Sequence, residues 1–290
     1  MLQPVKDQSN HLLINQTSNL QRLWDSDGFA LTIQLPPLLT ADASDCVKQV
    51  VAQAHKFDAV LTADAPDGAV AVSSLAMAVL LKRAGIEAVV QISGRDRNRL
   101  ALQGDLLGLG ALGIHNLLID MRSVTRASFG QNADARFVTD LNGPALLAVV
   151  VRLRDEGRFI SGASIKKPQV FYAGAFISLE EHMQNEALSS AQFVVTAPVN
   201  DVQRIIAAFA ALRASHTDLL RNRPFLVSLP LITYSTGESL EAGEADIQQI
   251  ATFIKALRDF KEIRGFNIVV VRQSDLALLE QVIRMVNVQR

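Results

Sequence analysis

The chain has 290 residues, 49% of them hydrophobic and 20% charged, enough to bury a large core in one big α/β domain or two smaller ones. Its formal net charge is -1 and its pI is near 6.5, with no block of like charge, which argues against a nucleic acid or an anionic membrane as partner and for a small ligand. The single cysteine, Cys46, permits no internal disulfide, and the opening MLQPVKDQSN lacks the basic, apolar and small-residue order of a signal peptide, so the expected compartment is cytoplasmic. The longest apolar runs, such as Ala69 to Leu81, are too short for a bilayer span and are interrupted by serines.

In chain order, residues 1–17 read as an extension, flexible in expectation, and SNLQRLWDSDG (Ser18 to Gly28) reads as an extra N-terminal helix. Strand-like runs then alternate with amphipathic stretches. The strands are expected at 29–35, 58–62, 87–93, 116–120, 169–174, 193–197, 225–229 and 266–271. Between them, apolar residues at three- and four-residue spacing predict helices over 46–57, 73–85, 97–113, 145–159, 201–215 and 244–260, several ending in glycine. Eight strands in regular alternation with helices predict a single-domain (β/α)8 TIM barrel over 1–290 rather than an open sheet.

In such barrels, chemistry gathers at the C-terminal ends of the strands. That directs attention to Gln34, Thr62 to Asp64, Gln91 to Asp96, Asp120 to Ser123, Gly174 to Phe176, Thr196 to Ala197 and Leu229 to Leu231. One long insertion, Met121 to Pro144, follows the fourth strand, and a loop of that length in a compact domain is usually functional or mobile. Tyr172 and Phe176 are aromatic candidates for stacking on a flat ligand, although core packing is the plainer role for Tyr172. The five histidines, His11, His55, His115, His182 and His216, show no metal-binding spacing. GLGALG (Gly108 to Gly113) follows a helix rather than a strand, which excludes it as a dinucleotide loop.

The contiguous segment ISGRDRNRLALQGDLLGLGALGIHNLLI (Ile92 to Ile119), followed by FVTDLNGPALL and LRDEGRFISG, resembles the 5,10-methylenetetrahydrofolate reductase barrel, above all the form fused to homocysteine methyltransferase domains in some bacteria. SNLQRLWDSDGFALTIQLPP, SSLAMAVLLKRAG and SLPLI fit the same pattern, so the resemblance spans Ser18 to Arg290. It implies a flavin, FAD, on the barrel top. It also implies a reduced folate or related pterin as substrate, and a nicotinamide or protein partner as electron source, within a homo- or hetero-oligomer.

Carried over residue by residue, the family pattern is altered. Where the family ends its first strand in a general-acid glutamate before two prolines, this chain has Gln34, whose amide can hydrogen-bond a pterin but cannot protonate it. Asp64 keeps the carboxylate of the second-strand pair. The turn after the fourth strand reads IDMRSV, with Ser123 at the position of the family's flavin-side aspartate and Asp120 three residues earlier; these two, with Gln34, are the catalytic candidates. The family's pterin-binding threonine-glutamine becomes Thr196 and Ala197, which with Gln34 are the substrate-side candidates. The basic helix beside the flavin phosphates becomes EEHMQNEALSSA (Glu180 to Ala191), without a cation.

Asp64, Gln91, Ser93, Asp96 and Arg122 are the cofactor-side candidates, with Arg95, Arg97 and Arg99 as nearby cations and Arg122 and Arg126 of the long loop as replacements for the missing phosphate partner. The plainer alternative for the arginines is pairing with acids around the rim, and for Asp64 it is capping of the DAPDG loop. Two functional readings follow. One is flavin or folate binding with altered one-carbon chemistry; the other is a non-catalytic paralogue serving a reductase or methyltransferase complex.

Overall fold

A computed structural model describes residues 17–132, 134–167, 169–179, 186–214, 223–231, 241–257 and 259–289. Eight parallel strands close into one barrel: β1 (Ala30–Gln34), β2 (Ala59–Thr62), β3 (Ala88–Ile92), β4 (Asn116–Asp120), β5 (Tyr172–Ile177), β6 (Phe193–Thr196), β7 (Phe225–Leu231) and β8 (Ile263–Val270). Closure is made by β8 on β1, with Ala30 opposite Gly265 and Gln34 opposite Val269. Around the strands run α1 (Asn19–Asp25), α2 (Ser44–Ala52), α3 (Ser74–Arg83), α4 (Arg99–Ala111), α5 (Gly143–Asp155), α6 (Val202–Ala214), α7 (Glu241–Leu257) and α8 (Leu279–Gln289). This is the (β/α)8 barrel with an N-terminal helix that the alternation predicts.

Helix starts follow local chemistry. Ser18, Ser73, Asn98 and Asn142 each accept a backbone N–H of the first turn of α1, α3, α4 and α5, satisfying donors that the helix itself leaves unpaired. At the other ends, Gly85 and Gly113 adopt positive φ (78° and 66°) just beyond α3 and α4, a conformation in which a Cβ would be strained.

Two strands differ from expectation. β5 begins at Tyr172 instead of 169, because Gln169 packs its side chain against Gly110 of α4, and the chain enters the barrel only where the Tyr172 N–H donates to His115 O (2.9 Å). β8 begins at Ile263 instead of 266. Arg264 and Gly265 lie within the strand, and the missing Cβ of Gly265 makes room for the Ala30 carbonyl and the Leu226 side chain.

Strand side chains alternate between two apolar clusters. One lies between strands and helices; the other fills the barrel from below and includes Leu20, Trp24, Ala59, Leu61, Val89, Leu118, Tyr172 and Phe193. α1 closes this N-terminal end. Its Trp24 ring lies 5.4 Å from Phe193 and 6.0 Å from Tyr172, and the indole Nε1 donates to Arg264 O (3.0 Å). The Glu87 carboxylate accepts the backbone N–H groups of Asn19 and Leu20 (2.9 and 3.0 Å), anchoring an anion at the start of α1. Tyr172 therefore belongs to the floor, far from strand C-termini, and the C-terminal half of the interior is left for polar residues.

Candidate functional site at the C-terminal mouth of the barrel

On β1, β7 and β8 the inward positions above the floor are Thr32, Gln34, Ser228 and Asn267, all buried. The Thr32 hydroxyl donates to Asn267 Oδ1 (2.9 Å), which fixes the orientation of that amide. Asn267 Nδ2 then donates to Ser228 Oγ (3.0 Å) and, at 3.5 Å, toward Gln34 Oε1. Gln34 thus spends its acceptor on Asn267 and keeps the amide donors for a ligand. A glutamate at this position would put a carboxyl into a layer of neutral groups.

Across the mouth, Gln91 Nε2 donates to Asp120 Oδ2 (3.1 Å), while Gln91 Oε1 accepts the Asp64 N–H (3.3 Å). Arg122 holds the same carboxylate as a fork: Nε to Oδ1 at 2.9 Å, Nη2 to Oδ2 at 2.8 Å, and its backbone N–H to Oδ1 at 3.1 Å. The guanidinium also lies 4.7 Å from the centre of the Phe176 ring. Four donors converge on Asp120, about the acceptor capacity of an ionised carboxylate.

Asp64 is the second buried acid. Its carboxylate accepts the Ser93 N–H (2.9 Å) and is paired with Arg97, which also reaches Asp105 (3.1 Å). Burial pushes the Asp64 carboxyl above its usual range, with the Arg97 charge opposing that rise. Replacing Arg97 by Gln is therefore expected to raise the Asp64 pKa further, read from the carboxyl carbon shift in a pH titration by NMR. An unchanged or lower value would refute the assigned balance.

The insertion after β4 is pinned over the β2 and β3 loops. Arg95, 8% exposed, donates through Nη1 to Ala65 O (3.1 Å) and Ser128 O (3.2 Å), and through Nη2 to Asp96 (2.9 Å). Its guanidinium lies 5.4 Å from the Phe129 ring, which packs on Phe137 at 5.0 Å. Val138 N–H donates to Arg95 O (2.9 Å) and Asn132 Nδ2 to Gly68 O (2.7 Å). A run expected to be functional or mobile is built into the rim by one arginine and two aromatic rings.

Gln34, Gln91, Asp64, Ser93 and Asp120 thus gather at the mouth, with Arg122 above Phe176. Asp96 is on the outer rim, and Ser123 is exposed on the loop beyond Arg122. Thr196 does not face the mouth: it alternates with inward Val195, and its hydroxyl accepts the Ser228 N–H (3.0 Å), while Ala197 packs against the inner cluster. Residues 180–185, with His182, lie outside the described residues, as do His11, His216, Ile232 and the side chain of Arg126. Thr32, Ser228 and Asn267 escape a motif search. Their signal is the two-residue alternation, which sets each on the same face as Gln34, Pro230 and Val269.

The cofactor-side arginines pair with acids: Arg95 with Asp96, Arg97 with Asp64 and Asp105, Arg99 with Asp140, and Arg122, one of the two expected at a flavin phosphate, with Asp120. They follow the plainer alternative of rim ion pairs, and as a set they fit a flavin diphosphate poorly. A separate cavity of about 330 Å³ lies at the opposite end of the barrel, beside Arg22, Lys82, Glu87 and His115. Its polar walls serve the scaffold, with Lys82 Nζ on Gly113 O (2.8 Å) and Glu87 on α1. Among the described residues no group of three His, Cys, Asp or Glu side chains is placed to hold a metal, and no helix is long and apolar enough to cross a membrane.

No protein-family model matches the chain, and no curated protein is similar to it in sequence. Solved structures are similar in shape. An uncharacterized protein from Clostridium thermocellum that binds two copies of 5-methyl-5,6,7,8-tetrahydrofolic acid has TM-score 0.60 at 12% identity, over 92% of this chain and 96% of that one. EDTA monooxygenase (EmoA) from Chelativorans sp. BNC1 has TM-score 0.54 at 12% identity, over 90% and 94%. DmoA from Hyphomicrobium sulfonivorans has TM-score 0.52 at 11% identity, over 90% and 88%. At such identities the likeness is one of fold: this chain is a (β/α)8 barrel of the shape those proteins share.

Proposed function

We propose that the barrel mouth binds the pterin ring of a reduced folate, as a divergent relative of the methylenetetrahydrofolate reductases, and that it holds the ring without protonating it. The observation that carries this reading is the layer of amides and hydroxyls from Gln34, Gln91, Asn267 and Ser228, beside two acids that arginines already neutralise. Amides present both donors and acceptors, which is what the edge of a pterin requires, while both carboxylates already accept guanidinium and N–H donors. The C. thermocellum protein, similar in shape and binding two copies of 5-methyl-5,6,7,8-tetrahydrofolic acid, supports the ligand class. The resemblance over Ile92 to Ile119 supports the family.

The neutralised acids also favour the second reading, a non-catalytic folate-binding subunit of a one-carbon enzyme complex. FAD remains the family's cofactor, and if one is bound it supplies hydride chemistry that the chain's own residues do not.

Titration with 5-methyltetrahydrofolate, FAD and FMN by calorimetry tests the proposal. Saturable folate binding is expected, weakened about tenfold by Gln34→Ala through loss of one buried hydrogen bond. Binding of none of the three, or folate binding indifferent to Gln34→Ala, would sink it. Turnover of methylene-folate by the wild-type chain with reduced flavin would remove the non-catalytic reading.

A further inference from the structure

The two amides of the mouth do not turn both of their sides to a ligand. Gln34 gives its oxygen to Asn267 Nδ2, while its own Nε2 bonds nothing among the described residues and keeps accessible surface. The side left open is the donor side. Gln91 is fixed at both ends by partners that cannot exchange roles: the Asp64 N–H only donates, to Oε1, and the Asp120 oxygens, which already face three donors of Arg122, only accept, from Nε2. One amide hydrogen of Gln91 is left over. Asp64 is held by Arg97 and the Ser93 N–H. The mouth therefore has N–H groups to give and few acceptors to offer.

Burial separates what touches a ligand from what acts through a neighbour. Gln34 is 8% exposed, whereas Thr32, Ser228 and Asn267 are 0% exposed. Asn267 is thus a positioning residue: the Thr32 hydroxyl holds its Oδ1, and its Nδ2 draws the Gln34 oxygen away from the mouth. Two amide donors from β1 and β3 suit a ring atom with two lone pairs. On a pterin that atom is the 4-oxo oxygen, because N3–H and the 2-amino group are donors and would set N–H against N–H. We infer that the mouth takes the pterin by its 4-oxo oxygen through Gln34 and Gln91, and that Asn267 sets this preference. The inference rests on the pterin reading above and adds to it the edge by which the ring is held.

Calorimetry with 5-methyltetrahydrofolate and with its 4-amino-4-deoxy analogue tests it, since the analogue replaces the oxygen acceptor by an amino donor and removes the N3 proton. The oxo ligand is expected to bind about tenfold tighter or more, the effect of one mismatched buried hydrogen bond. Gln34→Glu, which turns carboxylate oxygens to the mouth, is expected to erase or reverse that ratio. Asn267→Leu, which frees Gln34 to turn either side outward, is expected to shrink it while 5-methyltetrahydrofolate still binds; an asparagine with only a structural role would weaken both ligands alike. An analogue that binds wild type as tightly as the oxo ligand, or a ratio unmoved by either substitution, would overturn the inference and leave the pterin reading standing. Binding of neither ligand to wild type would sink that reading and the inference with it.

Discussion

Trp24→Ala is expected to destabilise the chain by about 3–5 kcal/mol, the largest effect of any single truncation proposed. Trp24 is the plug of the barrel floor, with one face on Phe193 and Tyr172 and its indole N–H on Arg264 O. The alanine loses the ring's apolar contacts and leaves a carbonyl without its donor. It also opens a void that barrel strands, tied to neighbours on both sides, cannot collapse to fill. For a chain of this size the melting temperature is expected to fall by roughly 10 °C, measured by calorimetry or circular dichroism. Trp24→Phe, which keeps most of the volume and loses the hydrogen bond, is expected to cost about 1–2 kcal/mol. If Trp24→Ala melted with wild type, α1 would be an accessory and the barrel would hold its floor without it.

The second large effect is expected at Arg95. Its removal strands two carbonyls of separate loops, Ala65 O and Ser128 O, and takes the cation from beside Phe129. We expect Arg95→Ala to cost about 2–3 kcal/mol and to release residues 121–142 from the rim. Limited proteolysis between 123 and 140 should accelerate, and the Val138 amide, bonded to Arg95 O, should lose protection against hydrogen exchange. Arg95→Lys should restore part of the stability and little of the protection, because an ammonium cannot reproduce the planar fork that spans both carbonyls and Asp96. Unchanged proteolysis in Arg95→Ala would show that the aromatic pair alone holds the insertion.

The strand and helix alternation was legible in the residues because periodicity is a local property: each strand's own apolar run marks it, and Ser18, Ser73, Asn98 and Asn142 cap helices a few residues away. Gln34 was legible for the same reason, as a single amide at the end of an apolar run before two prolines. What lies opposite it was not. Asn267 is 233 residues from Gln34 in sequence and meets it only because β8 closes on β1.

The carboxylates divide the same way. Asp64 and Asp120 stand out by position, yet their ion pairs are made by Arg97 and Arg122, and nothing in the spacing of RDRNR or IDMRSV says which acid each guanidinium will choose. That choice follows from strand register and from the pinned insertion. By itself, then, the amino-acid order determined the barrel, its N-terminal helix and an amide, Gln34, at the end of the first strand, all consequences of residue type and local period. Only the tertiary structure decided that the mouth is lined by amides with their acids neutralised, that Thr196 faces away, and that the long loop is held by Arg95. Apart from the Arg122–Asp120 pair, two residues apart in sequence, these arrangements depend on separate strands and loops that the barrel sets side by side.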